Sequence, residues 1–457
     1  MRGASLSWLD FQFALHAMKF AISSTTFINN TALILPRRTW YGILIAGFLP
    51  AAVFGQTAFT WQQIKDKFEA ANPTLKAAKA SIDESRTAEI TAYLRPNPGF
   101  SFATDGTQIA PYDVNGIWRP FAGTQFLPAF SYLHERDHKR ELRLDSAKRS
   151  TDVASSSYEN QARNLTFTLR SAFVQILQAK AFLQNAKENL DYWDRELAVS
   201  RTRLEAGDLA QIDLDRLKLQ RVQFESDYET AIVNLRTAKI QLLMLMNDRT
   251  PLEKFDVTGP YDFTEQLMTL EEFRHAALAA RPDLKEAVQN VELAQVNHRL
   301  AVANGSTDPT YSAWWTHNPA FNNPDGFNTL GVSVSIPLRI FDRNQGEKLR
   351  TQIDIGRNER LRDAAEAQVF SDVDSAYAML NSNLALLRPY KARYLKLATR
   401  VRETMSFSYE RGGASLLDFL SAQNDYRTVQ LSYLNLIGSY LTAASQLNLA
   451  VGREAIP

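Results

Sequence analysis

Apolar residues recur every seven positions along two stretches in the first half of the chain. They fall at Leu169, Ile176, Leu183, Leu190, Leu197 and Leu204, and then at Leu217, Phe224, Ala231, Ala238 and Leu245. A seven-residue apolar repeat predicts a helix that packs lengthwise along another helix, and these two stretches should pair antiparallel. A continuous helix from Arg136 to Glu205 would be about 100 Å long. No compact globular domain needs that length.

The second half shows similar helices with one interruption. A three-four spacing of apolar residues runs through Leu380, Leu384, Leu387, Tyr394, Ala398, Val401 and Met405. Pro389 lies within this run and should kink the helix, because proline lacks the amide hydrogen that the helix uses. The last helix is apolar over a broad arc, which predicts packing against neighbours on two sides. That arc comprises Tyr433, Leu434, Leu436, Ile437, Tyr440 and Leu441.

Ahead of the long helices lie shorter segments with a different period. Apolar and small residues alternate from Thr329 to Leu338, with Leu330, Val332, Val334, Ile336 and Leu338 as the apolar set. This period predicts a strand with one apolar face. PTYSAWWTH should be its partner across a loop near residues 318–326, and GFSFAT and GIWRPFAGTQFLPAFSYL play these parts in the first half. The aromatic strands fit either a small soluble sandwich core or a membrane barrel with aromatic residues at both interfaces.

The chain aligns with itself at a shift of about 205 residues, and the matched pairs are Gly207 with Gly412, Asp213 with Asp418, Tyr228 with Tyr433, Ala238 with Ala443, and Leu242 with Leu447. Upstream, NPTLK at residues 72–76 corresponds to RPDLK at residues 281–285. A shared spacing of this kind indicates a duplicated unit. The order within each unit is helix, two strands, very long helix, turn and long helix.

The repeat predicts the organisation of the chain. The first repeat is 56–250, with strands at about 98–132 and helices at about 134–247. A linker at 251–263 leads to the second repeat, 264–452, with strands at about 309–338 and helices at about 345–452. Gly207 and Gly412 should adopt the left-handed conformation that ends one helix, and Asp208 or Ser415 should begin the next.

Composition narrows the functional classes. The 457 residues include 51 basic and 50 acidic side chains, so the net charge of +1 provides no field for binding nucleic acid. The chain contains no cysteine, which excludes disulfides, thiolate metal sites, cysteine nucleophiles and a lipid-modified N-terminal cysteine.

The first 55 residues have the form of a secretory signal with an upstream extension. Arg37 and Arg38 precede an apolar run from Trp40 to Phe54, and small residues end at Gly55. The alternative is a transmembrane anchor, but about 15 apolar residues fall short of the roughly 20 needed to span a bilayer. After Gly55 no stretch of 18 apolar residues appears.

One motif raises the possibility of an enzyme. HERDH, from His134 to His138, matches the H-E-x-x-H pattern in which a zinc protease uses two histidine ligands and a glutamate base. The charged sequence around it and the lack of an evident third ligand disfavour that interpretation. The histidines His275, His298 and His317 are scattered, so we expect no enzyme, no cofactor and no bound metal.

Strand number leads to an assembly. A sheet within a bilayer must close on itself, and about four strands per chain are too few, since the smallest barrels use eight. Copies must therefore combine their strands, and a trimer would supply about twelve. The predicted fold class is an α+β membrane protein whose trimer forms a β-barrel continuous with a helical barrel.

The repeated turn, NPTLK and RPDLK, and GVSVSIPLRIFDRNQG before a long helix resemble the TolC family of outer-membrane efflux proteins, from Thr57 to Gly452. The resemblance implies a trimeric outer-membrane duct with a large periplasmic part. It also implies a periplasmic adaptor protein and an inner-membrane pump of the resistance-nodulation-division type. FDRNQG at residues 341–346 is similar to the cobalt-zinc-cadmium branch, so metal cations or drugs are the expected substrates. The alternative is a periplasmic coiled-coil scaffold or adhesion protein without a pore.

The resemblance also assigns residues. Tyr409 and Asp418 match positions that narrow the family's periplasmic entrance, but Ala414 and Ser421 replace an arginine and a second aspartate, so the latch should be weaker or differently built. Asp418 and Asp213 would form carboxylate rings in a trimer, or simply suit helix starts. The tips, from Arg203 to Leu209 and from Tyr409 to Leu416, should contact the adaptor through Gly207, Asp208, Leu209, Gly412, Gly413, Ser415 and Leu416.

Overall fold

A computed structural model of the chain describes residues 57–110, 118, 120, 121, 123–318 and 327–456. The signal predicted within residues 1–55 and nearly all of the loop predicted at 318–326 lie outside the described residues. The helices are α1 (Trp61–Ala71), α2 (Pro73–Ala92), α3 (Lys139–Glu205), α4 (Gln211–Leu245), α5 (Leu270–Ala280), α6 (Pro282–Asn304), α7 (Gln345–Pro389), α8 (Leu395–Glu410) and α9 (Leu416–Val451). The strands are β1 (Thr57–Phe59), β2 (Gly99–Asp105), β3 (Gln125–Leu133), β4 (Phe255–Val257), β5 (Thr310–His317) and β6 (Asn328–Ser335).

The long helix of the first half is a single element of 67 residues. It pairs antiparallel with α4, as the seven-residue repeat predicts. Near the far end of the pair, the rings of Trp193 and Phe224 are 5.2 Å apart, and Arg221 Nε donates to Asp194 Oδ1 at 2.5 Å. The positions Leu169, Ile176 and Leu197 on α3, and Leu217, Phe224, Ala231 and Ala238 on α4, are buried.

The second long helix is interrupted where Pro389 predicts a break. The α-helix α7 ends at Pro389, a π-helical turn follows from Tyr390 to Tyr394, and α8 begins at Leu395. Leu380, Leu384 and Leu387 are buried before the break. After the break the predicted apolar positions are only half-buried or exposed.

Strands from both halves combine in one antiparallel sheet of four strands, in the order β2-β3-β5-β6. The central contact joins the two halves, with Phe130 of β3 opposite Ala313 of β5. A second, parallel pair is formed by β1 and β4, so part of the predicted linker at 251–263 is a strand. The strand predicted to reach Leu338 ends at Ser335, because its partner β5 begins opposite that residue, at Thr310.

The sheet has one apolar and one mostly small, polar face. The apolar face is open to solvent, with Leu330 78% and Val332 76% exposed. A soluble sandwich would bury this face under a second layer, and none of the described elements covers it. The sandwich interpretation is therefore wrong for the part of the chain that the structure describes.

The two short motifs begin equivalent helices in different ways. Asn72 accepts a hydrogen bond from Leu75 N at 3.0 Å and caps α2, with Pro73 in the first helical position. At the start of α6, Arg281 takes the cap position before Pro282 and makes no side-chain cap bond. Its buried guanidinium instead bonds Asp372 at 2.8 Å and the Ala450 carbonyl at 3.3 Å. The second motif therefore fastens α6 to α7 and α9.

A strap, which we define as residues 258–269, joins the two halves and crosses the break at Pro389. Lys391, in the π turn, pairs with Asp262 at 3.0 Å and lies 4.7 Å from the Phe263 ring centre. Tyr261 donates to the Leu434 carbonyl at 2.7 Å, and Tyr440 donates to the Thr264 carbonyl at 3.0 Å. The strap is thus bonded to the π turn on one side and to α9 on the other.

Candidate functional site

The two helix hairpins end in turns of the same backbone design. Gly207 has φ +83° and Gly412 has φ +75°, the left-handed values that glycine adopts without strain. In the first turn Asp208 N donates to the Arg203 carbonyl at 2.8 Å, and in the second Gly413 N donates to the Ser408 carbonyl at 2.8 Å. These bonds close the preceding helix in the Schellman manner. The predicted left-handed glycines are confirmed.

The helices after the two turns begin differently. Ser415 caps α9, because its hydroxyl accepts from Asp418 N at 3.2 Å while the Asp418 carboxylate accepts from Ser415 N at 3.3 Å. The Ser415 hydroxyl also donates to Asp418 Oδ2 at 2.7 Å. Ala210 stands at the cap of α4 and makes no side-chain bond. The expectation that Asp208 begins α4 is wrong, because its amide closes the helix before it. Asp213 occupies the same third helical position as Asp418, with Arg216 3.8 Å away.

The two tips pack against each other through aromatic side chains, which form a tip cluster. Trp193 of α3 is 1% exposed and lies 5.9 Å from the Phe419 ring of α9. Tyr409 stacks on Phe419 at 4.8 Å with an interplanar angle of 17°. The cluster joins both hairpins and consists of Trp193, Leu197, Leu214, Leu217, Phe224, Tyr409, Leu416 and Phe419.

Tyr409 is held inside this cluster by an arginine from the first tip. It is 6% exposed, and its hydroxyl has no hydrogen-bond partner in the described structure. The Arg203 guanidinium lies 5.2 Å from the ring centre and donates to the Tyr409 carbonyl at 3.4 Å. Burial raises the pKa of the phenol, opposed by Arg203 and supported by the Asp213 and Glu196 carboxylates.

A polar network of Tyr192, Ser406 and Gln423 lies close to the tip cluster, and the sequence analysis did not predict it. Tyr192 Oη and Ser406 Oγ are 2.8 Å apart, and Gln423 Nε2 donates to Tyr192 Oη at 2.8 Å. Burial raises the pKa of Tyr192 to about 12. Burial also raises the pKa of Glu196, which the Tyr192 hydroxyl opposes and Glu410 supports. No periodicity marks these residues, since the sequence separates Tyr192 from Gln423 by 231 positions.

The residues predicted to contact the adaptor fall into an exposed group and a group that packs inward. Gly207, Asp208, Gly412, Gly413 and Ser415 are exposed, as expected for contact residues. Leu209 is half-buried and Leu416 is buried, because both side chains pack into the tip cluster.

The exposed apolar side chains at the tips are Ile212 and Leu417, which is 76% exposed. The sequence analysis missed both. The 205-residue repeat relates these two positions, so the same alignment that matched the glycines contained the signal.

HERDH does not have the geometry of a zinc protease. Asp137 and His138 have φ +53° and +56°, so the two histidines do not share a helical turn. Glu135 is engaged by Arg143, with Arg143 Nη2 at 2.8 Å from Glu135 Oε2. Among the described residues, no group of three or more histidine, cysteine, aspartate or glutamate side chains is placed to hold a metal ion.

FDRNQG forms the turn that leads into α7, as HERDH does before α3. Asn344 has φ +61° and occupies the N-cap position of α7. Its backbone amide donates to Asp342 Oδ1 at 2.8 Å, and its side-chain amide donates to the Ala301 carbonyl at 2.7 Å. These local bonds account for the Asp and Asn of the motif. Within the described part of the chain, none of the helices has the length and apolar content that crossing a bilayer requires.

Comparison with known proteins finds similarity to outer membrane efflux proteins. Residues 273–453 match the family model for outer membrane efflux proteins. The cobalt-zinc-cadmium resistance protein CzcC of Cupriavidus metallidurans is 22% identical over 392 residues, which cover 84% of this chain and 87% of CzcC. The outer membrane protein TolC of Escherichia coli K12 is 22% identical over 434 residues, which cover 90% of this chain and 85% of TolC.

A solved structure of CusC, described in terms of folding and transmembrane channel formation, has the same fold. Its TM-score is 0.73 at 16% identity, over 86% of this chain and 92% of CusC. The likeness covers much more of the chain than the stretch matched by the family model. Residues 273–453 thus match outer membrane efflux proteins, and most of the chain is similar to CzcC and TolC, which indicates a transport duct of the outer membrane with a large periplasmic part and not an enzyme.

Proposed function

We propose that three copies of this chain form one passive duct from the periplasm to the exterior, the outer-membrane component of a tripartite efflux system. The observation that carries the proposal is the four-stranded sheet with an uncovered apolar face and two open edges, β2 and β6. Open edges leave backbone groups unpaired, which a bilayer does not tolerate. Three copies supply twelve strands, which is enough for a closed barrel.

The two faces of the sheet support this arrangement. Phe100, Phe130, Ala313 and Val332 form one row across the four strands on the apolar face. On the opposite face the neighbouring row is Gly99, Ser131, Ser312 and Ser333. Larger residues on this face are Leu127, Leu133 and Trp314, and Trp314 packs on Gly331 so closely that an added Cβ would lie 2.3 Å from the indole. An apolar exterior and a small, polar interior are what a water-filled barrel requires.

The long helices carry exposed apolar residues that could contact neighbouring copies of the chain. Along α4, Leu219, Val233 and Ile240 are exposed, and their spacings are multiples of seven residues. A second exposed apolar set lies on α7, at Leu349, Ile353, Met379 and Leu386. We infer that the two sets meet between copies, so that the helices continue the barrel as a tube. The periplasmic scaffold without a pore would leave the apolar sheet face unexplained.

Channels of this family work with a periplasmic adaptor and an inner-membrane pump. We infer that the adaptor docks on the tips, at the exposed Gly207, Asp208, Gly412, Gly413 and Ser415. The apolar part of that contact would come from Ile212 and Leu417 rather than from the inward-facing Leu209 and Leu416. A resistance-nodulation-division pump is the proposed inner-membrane partner.

Tyr409, Asp213 and Asp418 remain the proposed gate of the periplasmic end. Arg203 takes the part of a latch, since it joins the first tip to Tyr409 of the second. In a trimer Asp213 would form a ring that favours cations. Asp213→Asn should lower cation selectivity in planar-bilayer recordings, and Asp215→Asn, on the same helix, should not. Equal effects of the two would remove Asp213 from the proposal.

Metal cations are the proposed substrates, with drugs as the alternative. The relative CzcC is described as a cobalt-zinc-cadmium resistance protein, which supports metals, and the equally similar TolC carries no such description. Deletion of the gene should lower the tolerated concentrations of cobalt, zinc and cadmium salts. A deletion strain sensitised only to drugs would favour the alternative.

The trimeric barrel is tested by fractionation and gel electrophoresis. The full chain should sediment with outer membranes and migrate as a trimer until heated. Val332→Arg puts a charge on the apolar face and should cost about 2–4 kcal/mol if that face contacts lipid. Ser333→Arg, one residue on, faces the interior and is the matched control. A chain that stays monomeric and soluble without detergent, or equal tolerance of both arginines, would contradict the proposal.

A further inference from the structure

The turn between β6 and α7, residues 336–343, presents an apolar and basic surface that neither the channel nor the tips account for. We propose that this collar binds the phosphate headgroups of phospholipids in the periplasmic leaflet of the outer membrane. The proposal rests on the barrel argued above, because it places the turn where the sheet leaves the membrane. It adds a second membrane contact beyond the apolar belt of the strands.

The apolar side chains of the collar are unusually exposed. Phe341 is 90% exposed, and Ile336, Leu338 and Ile340 are also exposed. The even-numbered members continue the alternation of Leu330, Val332 and Val334 beyond the strand end. The collar is therefore continuous with the face proposed to contact lipid, at the level where headgroups begin.

Hydrogen bonds hold the collar in a defined shape. Ile340 N donates to the Leu338 carbonyl at 3.0 Å, and Arg343 N donates to Gln345 Oε1 at 2.8 Å. Gln345 Nε2 donates back to the Phe341 carbonyl at 3.1 Å. The exposed phenyl ring is thus presented by a bonded turn at the start of a long helix. The hydrogen bonds of the turn therefore hold Phe341 in its exposed position.

Two arginines flank the apolar side chains. Arg343 is exposed and Arg339 is half-buried, and neither forms an ion pair with a carboxylate of the described residues. Two acidic groups of this region have other partners, since Asp342 accepts from Asn344 N and Asp308 pairs with Lys139 at 2.6 Å. Against the effect of burial, Arg339 contributes only a charge interaction that, with Lys139, lowers the pKa of Asp308. Guanidinium groups beside aromatic and aliphatic side chains suit a phosphate-rich interface, where the stem lies in the apolar region and the head reaches the phosphate.

The corresponding turn of the first repeat shows that the fold does not require these residues. His138 and Asn344 both have a left-handed backbone conformation and both occupy the N-cap position of a long helix. The two turns therefore align at a shift of 206 residues. Ile340, Phe341 and Arg343 then correspond to His134, Glu135 and Asp137. The first repeat begins its long helix after a polar turn of mixed charge, in which Arg136 corresponds to Asp342. The apolar and basic residues of the collar therefore serve a contact outside the chain, and their charge fits an anionic lipid.

The test compares nanodiscs of phosphatidylglycerol with nanodiscs of phosphatidylcholine, each holding the full-length trimer. Wild type should melt at a higher temperature in the anionic lipid. The double variant Arg339→Gln/Arg343→Gln should lose that difference, and Phe341→Ser should lower the melting temperature in both lipids. Arg136→Gln, at an exposed arginine of the first turn, is the control and should behave as wild type.

Other outcomes would overturn the collar. A lipid preference that persists in the double arginine variant would place the anionic contact elsewhere. If the double variant instead separates into monomers in detergent, the collar contacts a neighbouring copy and the lipid proposal is wrong. Failure of the proposed function has a different signature, since the wild-type chain would then form no trimer before any lipid is compared.

Discussion

The long helices of the two repeats occupy equivalent places but differ in continuity. In the first repeat α3 runs unbroken for 67 residues. In the second, α7 has 45 residues, the π turn has 5 and α8 has 16. Pro389 separates them, because its ring blocks the regular helical bond and its nitrogen carries no hydrogen. The strap crosses the chain at this break, where Lys391 pairs with Asp262.

Toward the tips, α3 of the first repeat is also more deeply buried than α8 of the second repeat. Trp193 and Leu197 of α3 are buried in the tip cluster, whereas Leu397 of α8 is 49% exposed and Phe407 is also exposed. The first repeat therefore supplies the fixed part of the tip, and the second supplies a segment with fewer buried contacts next to a helix break. Such segments are the ones that open at low cost in free energy. We infer that movement at the tip takes place in α8.

Trp193→Ala should have the largest effect on this comparison. The side chain is 1% exposed among Phe224, Phe419 and its α3 neighbours, so the free energy of unfolding should fall by about 3–5 kcal/mol. Leu397→Ala, on the exposed side of α8, is the control and should cost less than 1 kcal/mol. Chemical denaturation of the detergent-solubilised chain measures both. Similar losses would mean that the two repeats contribute equally to the tip.

Pro389→Ala should have an intermediate effect. Restoring the helical amide should let α7 continue through residues 390–394 and stabilise that stretch by about 1–3 kcal/mol. Hydrogen exchange of residues 390–410 should slow, and export should fall because α8 moves less.

Lys391→Met provides the opposite perturbation. It removes an exposed ion pair that solvent screens, so exchange in the π turn should accelerate only modestly. Unchanged exchange in Pro389→Ala would show that the strap, and not the proline, imposes the break.

The contrast also shows how far the sequence leads. The seven-residue repeat of α3 and α4, the proline break and the two left-handed glycines are local signals, and each predicts its element. The sheet order is not local, since it depends on β3 meeting β5 from the other repeat. The same limit applies to the tips: Leu209 and Leu416 look like surface residues beside a turn, yet they pack inward because the two hairpins touch.

Residue roles at the tip were the least predictable part. Asp418 and Tyr409 were singled out by resemblance, but their contacts come from a helix cap and from Arg203 of the other hairpin. The network of Tyr192, Ser406 and Gln423 joins three helices, and no spacing along one of them reveals it. Polar residues buried between helices are visible only when the packing is known.

Glu196→Gln should have the smallest effect, and it tests whether that network stiffens the junction of α3 and α8. Burial raises the pKa of Glu196, so the folded protein holds this proton more tightly than the unfolded chain. The resulting stabilisation is complete below the unfolded value of about 4.3 and is lost as the pH rises through the folded pKa. Glutamine imitates the protonated form, so the melting temperature at pH 7 should rise by on the order of 1 °C, and the gain should disappear near pH 4. Glu403→Gln, at an exposed position of α8, should leave the melting temperature unchanged at both pH values. A gain at pH 7 that persists undiminished at pH 4 would show that glutamine acts through packing and not through the missing charge.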